Sequence, residues 1–333
     1  MVRLGVVAGA LGAALTLTGC GGGDKSAAAP LPLTLVADIP LTGGSARFDY
    51  QSIDPTGHLL AIAHLGASQA ILVDLQTRRV TATIGRLADV RGVLAVPQLG
   101  RVYATATGTH DLVTIRSKSR SVVGRVRVGS FPDGIAYDPR SRRVFVSDGD
   151  AVTVVDARTN RVVGRISLPG GVGNVQLDPT TGHILVNHQG GGTLVEIDPT
   201  ALTIGRRVAL RGCDGNHGLL VDRARRRAYI TCEANATLAI VDLGTGTQIG
   251  HLPTGDGPDV LAADPGLHRL YVASESGVLS VYATGAGAVR EIAHAKLADN
   301  AHSVAVDPAT HLVYLPLTDG GYGVPVLRVM KPC

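Results

Sequence analysis

With 43 glycines among 333 residues, 3% aromatics and no tryptophan, the chain has the composition of a protein built from many tight turns. A formal net charge of +4 is too mild to mark a nucleic-acid binder, and three phenylalanines and eight tyrosines leave few platforms for stacked bases. No G-x-S-x-G elbow, phosphate-binding P-loop, H-E-x-x-H or C-x-x-C-H segment occurs, so the common enzyme signatures are absent.

Residues 1–19 carry one basic side chain, Arg3, and then an uncharged Leu, Val, Ala and Gly run ending in Leu17-Thr18-Gly19-Cys20. The pattern predicts a signal peptide, too short and glycine-rich for a membrane span. Its ending resembles the bacterial lipobox, which implies that Cys20 is lipidated and becomes the first residue of the mature chain. Loss of Arg3 leaves 30 basic against 27 acidic side chains. Residues 20–32 then read as the lipidated Cys and a flexible tether of small residues. The expected location is extracytoplasmic, anchored to the cell envelope on its periplasmic face or at the cell surface.

From residue 33 to 331 the chain repeats. Its clearest unit runs from Pro132 to Arg165, where GIAYD, RVFVS, AVTVVD and RVVGRI are four strand-forming runs split by the turn segments DPRSR, DGD and ARTN. Anchors equivalent to Asp138 fall at Asp54, Val96, Asp178, Asp222, Asp264 and Asp307, spaced by 42, 42, 40, 44, 42 and 43 residues. A second landmark follows 18 to 20 residues later, at Asp74, Arg116, Asp156, Asp198 and Asp242. This period with four strands per unit predicts an all-β, seven-bladed β-propeller of four-stranded antiparallel blades. The last unit has room for strands at 302–306, 312–317 and 324–329 and is one strand short. A spare strand at Leu33–Ile39 is expected to complete it and close the ring.

The segments GSFPDGIAYDPRSRRVFV and GDGPDVLAADPGLHRLYV resemble the YVTN repeat family, in particular the YncE-like secreted propellers. The resemblance implies the same seven-bladed fold over roughly residues 33–331. It leaves function open, because propellers host binding proteins, scaffolds, lyases and lactonases alike.

Of the remaining cysteines, Cys213 and Cys232 lie in the fifth unit, and a meander returns both to one rim. In an oxidising compartment disulfide is preferred to metal ligation there, and a loop of about twenty residues closed by it contributes on the order of 3 kcal/mol. Cys333 has no evident partner. Arginines such as Arg78, Arg79, Arg140, Arg142, Arg158 and Arg223 fall in the first and third turns, which share the opposite rim. Solubility is the preferred explanation for them, with anionic lipid or nucleic acid as the alternatives. Tyr103, Phe145, Tyr229, Tyr271 and Tyr314, seven residues past their anchors, are expected to be buried between blades.

Chemistry is expected at one mouth of the axial channel. Five residues before each anchor stand Asp49, Arg91, Asp133, Gly173, His217, Asp259 and His302, which form one ring. Ten residues after it stand His64, Ala106, Asp148, His188, Cys232, Ser274 and Leu317, expected to lie opposite that ring, Asp49 with His64 and His217 with Cys232. His217, Asp259, His302 and Asp49 come from consecutive blades and are the candidate ligands of a divalent metal ion such as zinc or copper, with two or three reaching a single ion. The reading is a membrane-tethered monomer that binds a metal ion, a small ligand or a partner's loop at this mouth. The alternatives are a metal-assisted lyase or lactonase and a nucleic-acid or envelope scaffold; nucleic acid is not the expected partner.

Overall fold

The structure, a computed structural model, describes residues 30–321 and 323–333. The expected signal peptide, Cys20 and most of the expected tether lie outside the described residues. Seven four-stranded antiparallel sheets are arranged as blades, and the described residues contain no α-helix. No described helix is long and apolar enough to cross a membrane. The innermost strands, one per blade, are Gln51–Asp54, Val90–Val96, Pro132–Asp138, Val172–Leu177, Asn216–Asp222, Pro258–Asp264 and Ala305–Asp307. Each touches the innermost strand of the next blade, and that of blade 7 touches that of blade 1, so the ring is closed.

The anchor aspartates make the turns. Asp54 Oδ1 accepts the backbone N–H groups of Thr56 and Gly57 at 2.9 and 2.7 Å, and Asp138 does the same for Arg140 and Ser141 at 3.1 and 2.9 Å. The second landmark repeats the device at Asp74, Asp156, Asp198 and Asp242, where backbone N–H donors hold the carboxylates below their usual range. Their periodicity is therefore a periodicity of chain reversal, not of chemistry.

Closure follows the expected scheme. Leu33–Pro40 pairs antiparallel with Val326–Pro332 as the outer strand of blade 7. Arg328 pins the two together, donating to both carboxylate oxygens of Asp38 at 2.9 and 2.7 Å. Two boundaries differ from expectation. The inner strand of blade 7 is only Ala305–Asp307, and its third strand runs to Pro332.

The apolar core lies between blades. Tyr103, Phe145, Tyr229, Tyr271 and Tyr314 are all buried, each among side chains of the following blade; Tyr271, for example, packs with Val306, Val313 and Leu315. The Cys213–Cys232 disulfide ties the loop before blade 5 to the end of that blade's second strand. Cys333 is a free, exposed thiol.

Candidate functional site

The inner strands do not pair residue for residue with their neighbours. In blades 2 to 6 the register shifts in the first turn of the inner strand: Pro132 faces Asp148, yet Ile135 already faces Val146. The same step occurs at Val90/Val93, Val172/Val175, Asn216/Leu219 and Pro258/Leu261. One extra residue on the inner strand makes a bulge, which re-aims the side chain five residues before the anchor toward the axis. The same bulge corrects the expected pairing. Asn216, not His217, stands opposite Cys232, and the two rings lie on different faces.

Blade 1 has the same irregularity in its hydrogen bonds, where the Asp49 N–H donates to the Ala63 carbonyl and the Ala63 N–H to the Tyr50 carbonyl, both at 2.9 Å, so Ala63 and not His64 faces Asp49. His64, Asp148 and His188 are not at the mouth. His64 stacks on Phe48 at 4.1 Å with its ring nitrogens on the carbonyls of Thr42 and Ala46 at 2.9 and 3.2 Å. Asp148 is fully buried and accepts hydrogen bonds from the Phe131 N–H, Thr153 and Arg165. The His188 ring sits 2.8 Å from the Pro169 carbonyl. These residues hold the loops that lead from one blade to the next.

The side chains of the first ring do converge. Asp49, Arg91, Asp133, His217 and Asp259 line a cavity of about 350 Å³ at the mouth, together with Arg47, Tyr50, Phe131, Gln189 and Glu233. His302 is buried beside it, its Nε2 3.9 Å from Asp259 Oδ2. Gly173 contributes no side chain. Of the four candidate ligands, Asp49, Asp259 and His302 bring one ligand atom each within 4.8 Å of one another. Asp49 Oδ1 and His302 Nε2 are buried and lack a hydrogen-bond partner. His217 is not in that trio. Its Nε2 lies between Asp133 Oδ2 and Asp259 Oδ1, at 3.8 and 3.6 Å.

Packing of the backbone makes this convergence possible. A Cβ on Gly218 would come within 2.0 Å of the Asp259 carbonyl, and one on Gly92 within 2.1 Å of the Asp133 carbonyl, so only glycine lets neighbouring inner strands approach so closely. Hydroxyls nine residues past the anchor fill the remaining space. Thr105 accepts from Gly92 N–H and donates to the Asp133 carbonyl, and Thr231 links Gly218 N–H to the Asp259 carbonyl at 2.8 and 3.1 Å. The ring thus stands on a fixed frame.

Electrostatics make the mouth a strained one. Burial, and then the charges of Asp259 and Asp133, push the Asp49 carboxyl well above its ordinary range; burial likewise raises Asp133. Burial pulls the His217 imidazole down, but the carboxylates of Asp259 and Asp133 outweigh it and the net shift is upward. For His302 burial prevails over Asp259, so it is held low and neutral. Arg91 stands 3.7 Å from Asp49 and over the ring of Phe131, and Arg47 pairs with Glu275 at 2.8 Å. Two neutral-making trends, on Asp49 and His302, thus meet at the trio, where a cation would reverse the penalty on the carboxylate.

Tyr50 plugs the axis below. Its hydroxyl donates to Asp259 Oδ1 at 2.9 Å and accepts from Asn174 Nδ2. Beyond it a second cavity of about 430 Å³ opens toward the opposite rim, lined mainly by uncharged groups such as Gln51, Ile53, Leu94 and Gln176. Arg47, Tyr50, Gln189, Glu233, Glu275 and the clamping hydroxyls were not among the sequence candidates. Gln189, Glu233 and Glu275 stand eleven residues past their anchors, one beyond the position chosen, and a hydroxyl recurring nine residues past the anchor at Thr105, Ser147 and Thr231 was a legible signal.

No protein-family model and no curated protein matches the chain. Its fold does match solved structures. Hydrazine synthase from Kuenenia stuttgartiensis superposes with a TM-score of 0.75 at 14% identity, over 86% of this chain and 96% of the other. Virginiamycin B lyase from Staphylococcus aureus gives 0.73 at 12% identity, over 89% and 99%, and a streptogramin B lyase 0.73 at 13%, over 89% and 97%. At such identities the likeness establishes the class, a seven-bladed β-propeller like those lyases, and nothing finer.

Proposed function

We propose that this chain is a lipid-anchored, extracytoplasmic propeller of the YVTN type that acts as a binding protein, its mouth holding a divalent cation and, on that cation, a small polar ligand. The observation that carries the reading is the trio of Asp49, Asp259 and His302: three buried ligand groups within 4.8 Å of one another, two of them with an unpartnered atom. Two carboxylates and a neutral imidazole suit a divalent ion and leave coordination positions for water or ligand. The LTGC segment supports the anchor. Titration calorimetry across divalent ions tests the site. Wild type binds, Asp49→Asn and His302→Ala do not, and His217→Ala, which removes a cationic neighbour and not a ligand, binds at least as well as wild type; a wild type that binds nothing rejects the reading.

A second reading, a metal-assisted lyase or lactonase, draws on the lyases among the structural neighbours and on His217, held toward its protonated form 3.6 Å from Asp259. Turnover of macrocyclic esters or lactones by the metal-loaded protein, abolished by His217→Ala, would favour it over binding alone.

A further inference from the structure

The rim opposite the mouth carries cations of two kinds. Arg101, Arg143 and Arg226 hold blades together, Arg101 on the Ala157 carbonyl, Arg143 on the Pro199 carbonyl at 2.7 Å and Arg226 on Asp178 at 2.7 Å. Arg78, Arg79, Lys118, Arg140, Arg142 and Arg158 hold nothing of the sort. All six are exposed, five stand in the turns of blades 1 to 3 and Arg79 opens the strand that follows one of them, and none forms an ion pair among the described residues.

Positive charge outnumbers negative on this part of the rim, where the four carboxylates are Asp54, Asp74, Asp138 and Asp156, each held by backbone N–H groups of its own turn. In blade 2 both repeat aspartates are replaced, by Val96 and Arg116. Between blades 2 and 3 the rim opens into a cleft of about 380 Å³ lined by Arg101, Tyr137, Arg142 and Arg158, with room for a phosphate headgroup.

The chain enters the propeller on the same face. Leu33 pairs with Pro332 and the Cys333 N–H donates to the Pro32 carbonyl at 3.1 Å, so the preceding segment joins beside blade 1. We propose that the rim over blades 1 to 3 docks on an anionic phospholipid bilayer, which turns the mouth away from the membrane. Charge complementarity and the point of chain attachment select a lipid surface over nucleic acid. The choice of a lipid surface rests on the membrane anchor proposed above, while the mouth's ligand does not enter it, and a test on the chain without Cys20 separates failure of the rim from failure of the anchor.

The test uses the chain from Pro30 onward, since the ring is closed within Leu33–Pro332. Flotation is measured with vesicles of phosphatidylcholine alone and of phosphatidylcholine mixed with phosphatidylglycerol. Wild type floats with the anionic vesicles only, and salt of about 0.5 M releases it. The fourfold variant Arg78→Glu, Arg79→Glu, Arg140→Glu, Arg142→Glu loses partitioning by about a hundredfold or more. Arg86→Glu with Arg211→Glu, two exposed positions on the mouth rim, leaves it unchanged. Equal binding to neutral vesicles, a folded fourfold variant that floats like wild type, or tighter binding to a single-stranded oligonucleotide than to anionic vesicles overturns the proposal. If the fourfold variant fails to fold, the lipid and salt dependence of wild type still decides.

Discussion

Replacing Asp49 with Asn keeps the shape of the side chain and removes one charge from the mouth. In the metal-free protein Asp49 and Asp259 have carboxylate oxygens within 4.8 Å, where two full charges at an effective dielectric constant of about 20 repel by roughly 3.5 kcal/mol. Arg91, at 3.7 Å on the other side, returns an attraction of roughly 4.5 kcal/mol by the same arithmetic. Asp133 adds to the repulsion and Arg47 to the attraction, so the charges largely offset one another and burial, the largest cause, is left over, which is why the pKa rises. An acid whose pKa is raised by folding is stabilising to remove: its cost begins as pH climbs past the ordinary carboxylate range and is complete above the raised folded-state pKa. Asp49→Asn is therefore expected to raise Tm at neutral pH by about 1.5 °C, equivalent to about 1 kcal/mol in a domain of this size. The gain should vanish near pH 3.5 or about there, where both states are protonated. Scanning calorimetry in the presence of a chelator reads both. A variant melting at or below wild type at neutral pH would refute the reasoning, since the Arg91 pair would then outweigh burial.

Three further outcomes follow from the packing. Tyr271→Ala should cost about 3–5 kcal/mol, whereas Tyr271→Phe, which removes a buried hydroxyl without a partner, should cost nothing or stabilise; denaturant titration of both separates packing from polarity. Deleting residues 33–40 strips the outer strand from blade 7 and breaks the Asp38–Arg328 pair, so the whole ring should unfold at lower temperature; a truncation that melts like wild type would contradict the closure. Gly218→Ala drives a Cβ against the Asp259 carbonyl and should both destabilise the fold and weaken metal binding, seen by calorimetry with and without ion.

Sequence carried the fold further than the site for a physical reason. Blade number, strand count and ring closure follow from local rules, strand-forming runs and Asx turns repeated every forty-odd residues, and Leu33–Pro40 could be recognised as a spare fourth strand. The ring Asp49, Asp133, His217, Asp259 and His302 was legible because one repeat offset gathers it. Its counterpart was not, because simple antiparallel alternation does not hold across the inner hairpin. A single bulged residue inverts that alternation, so His64, Asp148 and His188 turn into the loops while Glu233 and Glu275, one position on, reach toward the mouth. Arg47 and Tyr50 belong to the loop and strand leading into blade 1, and only the closed ring reveals that Tyr50 meets Asn174 and Asp259 from blades 4 and 6.

The central claim is that a divalent cation sits among Asp49, Asp259 and His302. Crystals grown with Mn²⁺ and measured at the manganese absorption edge test it most directly. The account predicts one anomalous peak within coordination distance of those three side chains, and none there in His302→Ala. A saturated wild-type crystal with no peak at the mouth, or with its peak elsewhere on the propeller, would contradict it.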